Sequence, residues 1–330
     1  MTDALKILLA AGLTFAAGLA VGPLVIRAAK KLKAGQVILG YVEQHSYKSG
    51  TPTMGGFIFL LPASAVSMIL GYTKLAAVAV ALTLSYATLG FLDDFIKIKF
   101  KQNLGLRAYQ KLIGQLGIAV IVTVFCYKNP LVGTVIDIPF AAVTLNLKWW
   151  YLPFTMFAFI ALTNAVNLTD GLDGLAGSVG IAYFAFFALI IYLRGEAADY
   201  FGETVLSDEL NGLAVFSAAM AGGIGAFLWF NGNPATVMMG DTGSLAMGGA
   251  AAAVAVFSRT PLLILVLGVT YIASCVSVIA QVISFKLTGK RVLLMAPLHH
   301  HFEKKGLPEQ KIVLRYALVT VAAGLIALAA

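Results

Sequence analysis

Five aspartates stand out in this chain because of where they fall: Asp93 and Asp94 close one hydrophobic run, Asp170 and Asp173 follow a second, and Asp241 precedes a third. The short connections around the last two groups contain no lysine or arginine, so those acids lack a local ion-pair partner. Asn164 and Asn167 share a helix face just ahead of Asp170, offering carboxamides beside carboxylates. Glycines in Asp170-Gly-Leu-Asp173-Gly permit a tight turn. Asp241 sits in Met239-Gly240-Asp241-Thr242-Gly243-Ser244, where it could cap the following helix or accept a hard cation. Adjacent Asp93 and Asp94 cannot point the same way, and the plain reading is a helix-end pair balanced by Lys97 and Lys99.

Pro297-Leu298-His299-His300-His301-Phe302-Glu303 holds three of the four histidines. Consecutive rings diverge, which argues against one zinc site and for hydrogen bonds to phosphate or nucleoside. Lys48-Ser-Gly-Thr51-Pro-Thr53-Met-Gly-Gly56 is a glycine-flanked loop with one lysine, and its spacing is not that of a P-loop. Acids, amides, histidines and a lysine together suit magnesium-assisted phosphoryl chemistry on an anionic substrate, where catalysis is mostly positioning and charge stabilisation.

The elements that must carry these groups are membrane helices. Of 330 residues, 60% are hydrophobic and 12% charged, about half the charge of an ordinary soluble chain. Apolar runs predict ten helices near 4–27, 54–72, 74–95, 108–127, 151–167, 175–193, 211–230, 243–258, 261–286 and 312–329. The basic residues alternate between connections. Odd-numbered connections carry 17 of the 23, and the other face holds only Lys6, Lys74, Lys128, Lys148, Arg194 and Arg259. The positive-inside rule then puts the odd connections in the cytoplasm, both termini outside, and all five aspartates on the cytoplasmic face. That distribution also removes nucleic acid as an explanation of the net charge of +8. The expected architecture is an all-α polytopic membrane protein, one integral domain over 1–330.

Alternation in 143–149 suggests a strand that pairs with 134–138 in a small outer β-hairpin, and Trp149, Trp150 and Tyr151 suit an interfacial belt. The acidic stretch 196–209 reads as a solvated outer loop. Small residues in 221–225 and 248–253 should let helices approach closely. Cys126 and Cys275 lie in apolar runs and read as buried free thiols.

Taken together, Thr-Pro-Thr-Met-Gly-Gly, Leu-Asp-Asp, Asn-Leu-Thr-Asp-Gly-Leu-Asp-Gly, Met-Gly-Asp-Thr-Gly-Ser and Pro-Leu-His-His-His-Phe-Glu resemble the polyprenyl-phosphate N-acetylhexosamine-1-phosphate transferases. The likeness spans essentially the whole chain and is strongest to the branch serving bacterial peptidoglycan synthesis. It implies ten helices and transfer of phospho-N-acetylmuramoyl-pentapeptide from UDP-N-acetylmuramoyl-pentapeptide to undecaprenyl phosphate. Lipid I and UMP would be the products, with Mg2+ required, at the inner face of the plasma membrane. By motif, Asp241 is the implied magnesium ligand, and Asp93 deprotonates or orients the lipid phosphate with Asp94 beside it. Lys48, Thr53, Asn167, Asp170, Asp173 and Gly240 would line the nucleotide and phosphate pocket, with His299, His300 and His301 as the histidine contacts. The resemblance also implies a homodimer and binding of nucleoside antibiotics. One departure is Met238, where many members carry a phenylalanine for uracil stacking.

A phosphate monoester is already largely deprotonated at neutral pH, so direct attack with Asp93 orienting the acceptor is favoured over a required general base. Metal binding by Asp93, or a nucleophilic role for it in a two-step route, stays open. The nearest alternative is a sibling enzyme using a UDP-N-acetylhexosamine without peptide; the uninterrupted histidine run favours the peptide-bearing substrate. CDP-alcohol phosphotransferases need an arginine that Asp173-Gly-Leu-Ala-Gly lacks, and prenyl-diphosphate enzymes need an acid where Lys97 stands. A secondary transporter would place acids near the midplane, often in inverted repeats, and no long repeat is visible.

Overall fold

The computed structural model describes residues 1–32, 50–100, 105–141 and 143–330; Lys48 lies outside them. In chain order the helices are α1 (Asp3–Lys31), α2 (Phe57–Leu70), α3 (Lys74–Phe100) and α4 (Ala108–Lys128). After strands β1 (Val135–Ile138) and β2 (Val143–Asn146) come α5 (Tyr151–Thr169), α6 (Leu175–Tyr200), α7 (Thr204–Asn231) and α8 (Gly240–Phe257). The chain ends with α9 (Ile264–Leu267), α10 (Val269–Thr288), α11 (Leu298–Lys304) and α12 (Glu309–Ala327).

Among the described residues, eight helices are long and apolar enough to cross a membrane. They are α1, α3, α4, α5, α6, α7, α10 and α12, so the chain is a multi-pass membrane protein. The short second and eighth runs form α2, of 14 residues, and α8, of 18. The ninth run is divided at Gly268 into α9 and α10.

Helix α8 lies at the centre, with every residue from Thr242 to Phe257 buried. A helix enclosed on all sides needs no bulky lipid-facing side chains, and Gly248-Gly-Ala-Ala-Ala-Ala253 lets its neighbours press against the backbone. A β-carbon added at Gly248 would stand 2.5 Å from the Thr163 Cα of α5. In 221–225 the same logic applies: α1 and α2 pack on α7 at Gly222 and Gly223.

Carboxylates from neighbouring helices accept first-turn amides that local side chains leave open; at the start of α3 the Thr73 hydroxyl takes only the Ala76 amide, at 3.3 Å. Glu209 of α7 accepts the Lys74 and Leu75 amides at 3.2 and 2.7 Å, closing the first turn of α3. This overturns the reading of 196–209 as a loop: α6 runs to Tyr200, α7 starts at Thr204, and Glu209 is buried because α3 needs it. The hairpin does form, antiparallel with Val135 opposite Asn146 and Ile138 opposite Val143. Trp149 and Trp150 are exposed and stacked at 4.0 Å, whereas Tyr151 turns inward and is buried, which removes it from the expected belt.

Asn211 near the start of α7 donates to Asp3 at 3.2 Å, and Ala330 shares a cavity wall with Asp137 of β1. Both chain ends therefore lie at the hairpin end of the bundle, opposite the carboxylate cluster.

Candidate active site

The cluster forms where the C-terminal end of α3 meets the first turn of α8. Asp93 and Asp94 are each only 3% exposed, and one carboxylate oxygen from each of Asp93, Asp94 and Asp241 lies within 4.8 Å of the others. Gly90 of α3 makes this meeting possible, because any side chain there would collide with the Asp241 carbonyl.

The three acids do different work. Asp94 accepts the Asp241 and Thr242 amides at 3.2 and 2.9 Å and the Thr242 hydroxyl at 2.7 Å. It is the cap of α8, supplied from another helix. Asp241 is consequently not the N-cap that its sequence position allowed; it is the second residue of α8, with its carboxylate released for other contacts. Its Oδ1 accepts from the Asn167 amide at 2.6 Å, and its Oδ2 faces Lys97 at 2.8 Å and Lys111 at 3.1 Å. Asp93 accepts the Leu106 amide at 2.8 Å through Oδ1. Its buried Oδ2 has no hydrogen bond of good geometry and is balanced by the Lys97 ammonium 2.5 Å away. Three carboxylates against two ammonium groups leave the cluster negative in excess.

Such a donor set fits a hard divalent cation. Magnesium takes one or two carboxylates and leaves its other positions to water and phosphate oxygens. Asp241 and Asp93 present oxygens whose present counter-charge is lysine alone, whereas the Asp94 oxygens are committed to α8.

A second group of site residues lies along the segment before α8. Met238 donates its amide to the Pro52 carbonyl and Gly55 donates to the Met238 carbonyl, both at 2.8 Å. This pairing brings Thr53 beside Gly240, where a β-carbon would stand 2.5 Å from both the Thr53 hydroxyl and Asp94 Oδ2. Gly240 also holds φ +73°, a conformation that only glycine adopts without strain. Met238 keeps its side chain half-buried at the edge of this segment.

The third group is the turn after α5. Asp170 keeps some exposure, yet burial, with the negative charges of Asp241, Asp94 and Asp173 adding to it, pushes its carboxyl up to about 8. Asp173 is buried and accepts the Ala235 amide at 3.0 Å, while its own amide donates to Glu309 at 2.6 Å. Asn233 reaches the same Glu309 at 3.0 Å. Glu309, in the first turn of α12, thus ties two loops together.

The His299 ring rests against Gly171, where a side chain would strike it, and His299 is fully buried. His300 turns to Glu303 at 2.9 Å, and His301 accepts the Leu294 amide at 3.1 Å. The expected divergence holds only for His301: the His299 and His300 rings lie 4.4 Å apart, tilted by 59°. Their helix, α11, is held by a polar stripe on α10. Gln281 accepts the Val292 and Leu293 amides at 3.1 and 2.9 Å and donates to the Leu293 carbonyl at 3.2 Å, and Ser277 accepts the Leu298 amide at 2.9 Å.

Asp93, Asp94, Asn167 and Asp241 therefore meet directly, with Thr53 and Gly240 alongside. Asn164 does not join them: its carboxamide exchanges hydrogen bonds with Gln115 of α4, one turn deeper in the bundle. Sequence reasoning missed Lys111, Gln281 and Glu309 as parts of this region and saw Lys97 only as a local balance. Lys99, the other expected balance, lies over Phe95 and Phe100 instead.

Comparison with known proteins agrees with this architecture. The model of glycosyl transferase family 4 matches residues 75–259, which run from α3 past α8. A phospho-N-acetylmuramoyl-pentapeptide-transferase of Desulfitobacterium hafniense is 44% identical over 325 residues, covering 97% of this chain and 96% of its own. Proteins of that name from Caldanaerobacter subterraneus, 44% identical, and Clostridium perfringens, 43% identical, each cover 96% of both chains. The chain belongs to this class of membrane transferases, glycosyl transferase family 4, and is an enzyme. Within it, the chain falls with the phospho-N-acetylmuramoyl-pentapeptide-transferases, glycosyl-1-phosphate transferases of peptidoglycan synthesis.

Proposed function

We propose that the chain transfers phospho-N-acetylmuramoyl-pentapeptide from its UDP conjugate to undecaprenyl phosphate, forming lipid I and releasing UMP, with Mg2+ bound at the cytoplasmic face. The observation that carries this reading is the convergence of Asp93, Asp241, Asn167, Lys97 and Lys111 at one end of a bundle of membrane helices. Asp241 and Asp93 would hold the metal, which when bound supplies charge neutralisation to the diphosphate and the leaving nucleotide. The lysines attract the anionic groups of both substrates. Asp93 orients the acceptor phosphate for direct attack on the β-phosphorus, and Asp94 keeps the first turn of α8 in place. Thr53, Gly240 and Met238 border the nucleotide from one side, Asp170 and Asp173 shape the opposite loop, and His299 and His300 contact the nucleotide.

The basic connections support a cytoplasmic site with ten spans and both termini outside, α2 and α8 completing the eight longer helices. A groove of about 610 Å³ beside α11 offers a lipid with an anionic head a place to lie, lined by apolar α10 side chains and by Lys286, Arg291 and Lys304. A bacterial inner-membrane location, a homodimer and recognition by nucleoside antibiotics belong to the same reading.

The test is UMP release by the purified protein from UDP-N-acetylmuramoyl-pentapeptide, with and without undecaprenyl phosphate and Mg2+. Release that needs both, with a new lipid-linked product, is expected. Asp241→Asn should cut it by at least a thousandfold while the protein still folds. Turnover of UDP-N-acetylglucosamine in place of the muramoyl substrate would move the chain to the sibling class.

A further inference from the structure

We infer that Lys97 is a built-in cation standing in the metal's place, and that a divalent ion enters the cluster by displacing it. The inference rests on the metal site proposed above and concerns what governs its occupancy. One ammonium nitrogen lies 2.5 Å from Asp93, 2.8 Å from Asp241 and 4.0 Å from Asp94. No other described cation reaches more than one of these carboxylates. Lys111 meets only Asp241, at 3.1 Å, and divides its ammonium with Asn167 at 3.2 Å, so it belongs to the rim.

The oxygens that Lys97 neutralises, Asp93 Oδ2 and Asp241 Oδ2, are those a magnesium or manganese ion would use. Magnesium binds carboxylate oxygen at about 2.0–2.1 Å. An ammonium 2.5 and 2.8 Å from the same two atoms leaves no room for it, and the two cations repel. Lys97 has an exit, because a third of its side chain is exposed and its four-carbon stem is flexible. Its helical spacing from Asp93 brings it back when the metal leaves. The lysine thereby screens three crowded carboxylates in the metal-free protein and lowers apparent metal affinity by the fraction of time it occupies the place. On leaving, it frees a positive charge at the mouth of the site, where an anionic substrate arrives.

Binding of Mn2+ alone to the full-length protein in detergent, followed by electron paramagnetic resonance without substrate, tests this. Lys97→Met should bind Mn2+ at least tenfold more tightly than wild type. Lys111→Met, which removes an equal charge from the rim, should change it by less than about threefold, and Lys99→Met not at all. Unchanged or weaker binding by Lys97→Met overturns the inference, as does an equal gain in Lys111→Met, which would reduce the effect to net charge. Asp241→Asn must abolish the bound Mn2+ signal; retention of that signal would place the fault in the metal site itself and not in the lysine. A measurement on wild type covers the event that Lys97→Met fails to fold. Labelling of the Lys97 amine, read by mass spectrometry against Lys99, should rise on addition of Mg2+. A constant or falling ratio refutes displacement.

Discussion

Replacing Asp94 by alanine should unfold the site before it disturbs anything else, and the size of the effect follows from its hydrogen bonds. The carboxylate satisfies two buried amides at the start of α8 and one hydroxyl. The Thr242 hydroxyl can rotate to another acceptor, but the amides of Asp241 and Thr242 cannot. Each buried donor left without a partner costs about 1–3 kcal/mol. Relief of repulsion from the two neighbouring acids returns roughly 1 kcal/mol across a few ångströms of partly screened interior. The net loss is about 1–5 kcal/mol. Unfolding entropy of ~2.1 cal/mol/K per residue gives about 0.7 kcal/mol/K over the chain, so the melting temperature should fall by about 1.5–7 °C. Asp94→Asn keeps one acceptor oxygen and should lose about half as much. The assay is a thermal melt in detergent at one fixed heating rate, since unfolding of such a protein is irreversible. A melting temperature for Asp94→Ala within about 1 °C of wild type would refute the capping argument and return Asp94 to the reacting groups.

Three further outcomes follow from the same geometry. Gly240→Ala places a β-carbon on Asp94 and Thr53 at a positive φ, and should cost about 2–4 kcal/mol in a thermal melt and at least a hundredfold in UMP release; near-normal turnover would show that the turn can relax. Gln281→Leu removes three hydrogen bonds that hold the segment before α11, and should raise KM for the nucleotide substrate at least fivefold with a smaller change in kcat. Wild-type KM would uncouple α10 from the histidines. Asp170 titrates near 8 in the folded protein and near 3.9 when unfolded, so between those values the folded state holds a proton that the unfolded chain has lost. Metal-free protein should accordingly lose thermal stability as pH rises from 6 to 8.5, and Asp170→Asn should flatten that slope; a slope that persists in Asp170→Asn assigns it elsewhere.

Most of the membrane architecture is legible in the sequence because bilayer length and hydropathy are local properties. Nine of the ten apolar runs each correspond to a single helix, the ninth is divided at Gly268, and the hairpin follows from alternation in 143–149. What a local reading cannot supply is a partner far away in the chain. Asp241 looked unpaired because its lysines stand 144 and 130 residues earlier. Glu209 looked solvated because nothing near it in sequence announces that the first turn of α3 will need an acceptor. Asn164 looked like a twin of Asn167, and three residues of helix do put both on one face. One turn of depth separates a group that meets the cluster from one that meets Gln115. The α10 stripe of Thr270, Ser274, Ser277, Gln281, Ser284 and Thr288 has helical spacing and could have been found by asking why a membrane helix carries it.

Helix length explains how a charged site can be built at the edge of a bilayer at all. Helix α3 has 27 residues and spans about 40 Å, against about 30 Å of hydrocarbon. Counted from Lys74, twenty residues bring the chain to Asp93, so Asp93, Asp94 and Lys97 fall where the apolar layer ends. Helix α8, of 18 residues, is about 27 Å long and begins at the same level with Gly240-Asp241. It starts inside the ring of its neighbours, where water is scarce and its first amides still need acceptors. Asp94 supplies that need from α3, and in doing so sets Asp241 beside Asp93. Capping and the geometry of the carboxylate cluster are therefore one constraint. The helix cannot start elsewhere without orphaning its amides, and the carboxylates cannot separate without uncapping it. A cluster fixed in this way can face a water-soluble nucleotide and a membrane-bound phosphate together, which is what the proposed transfer requires.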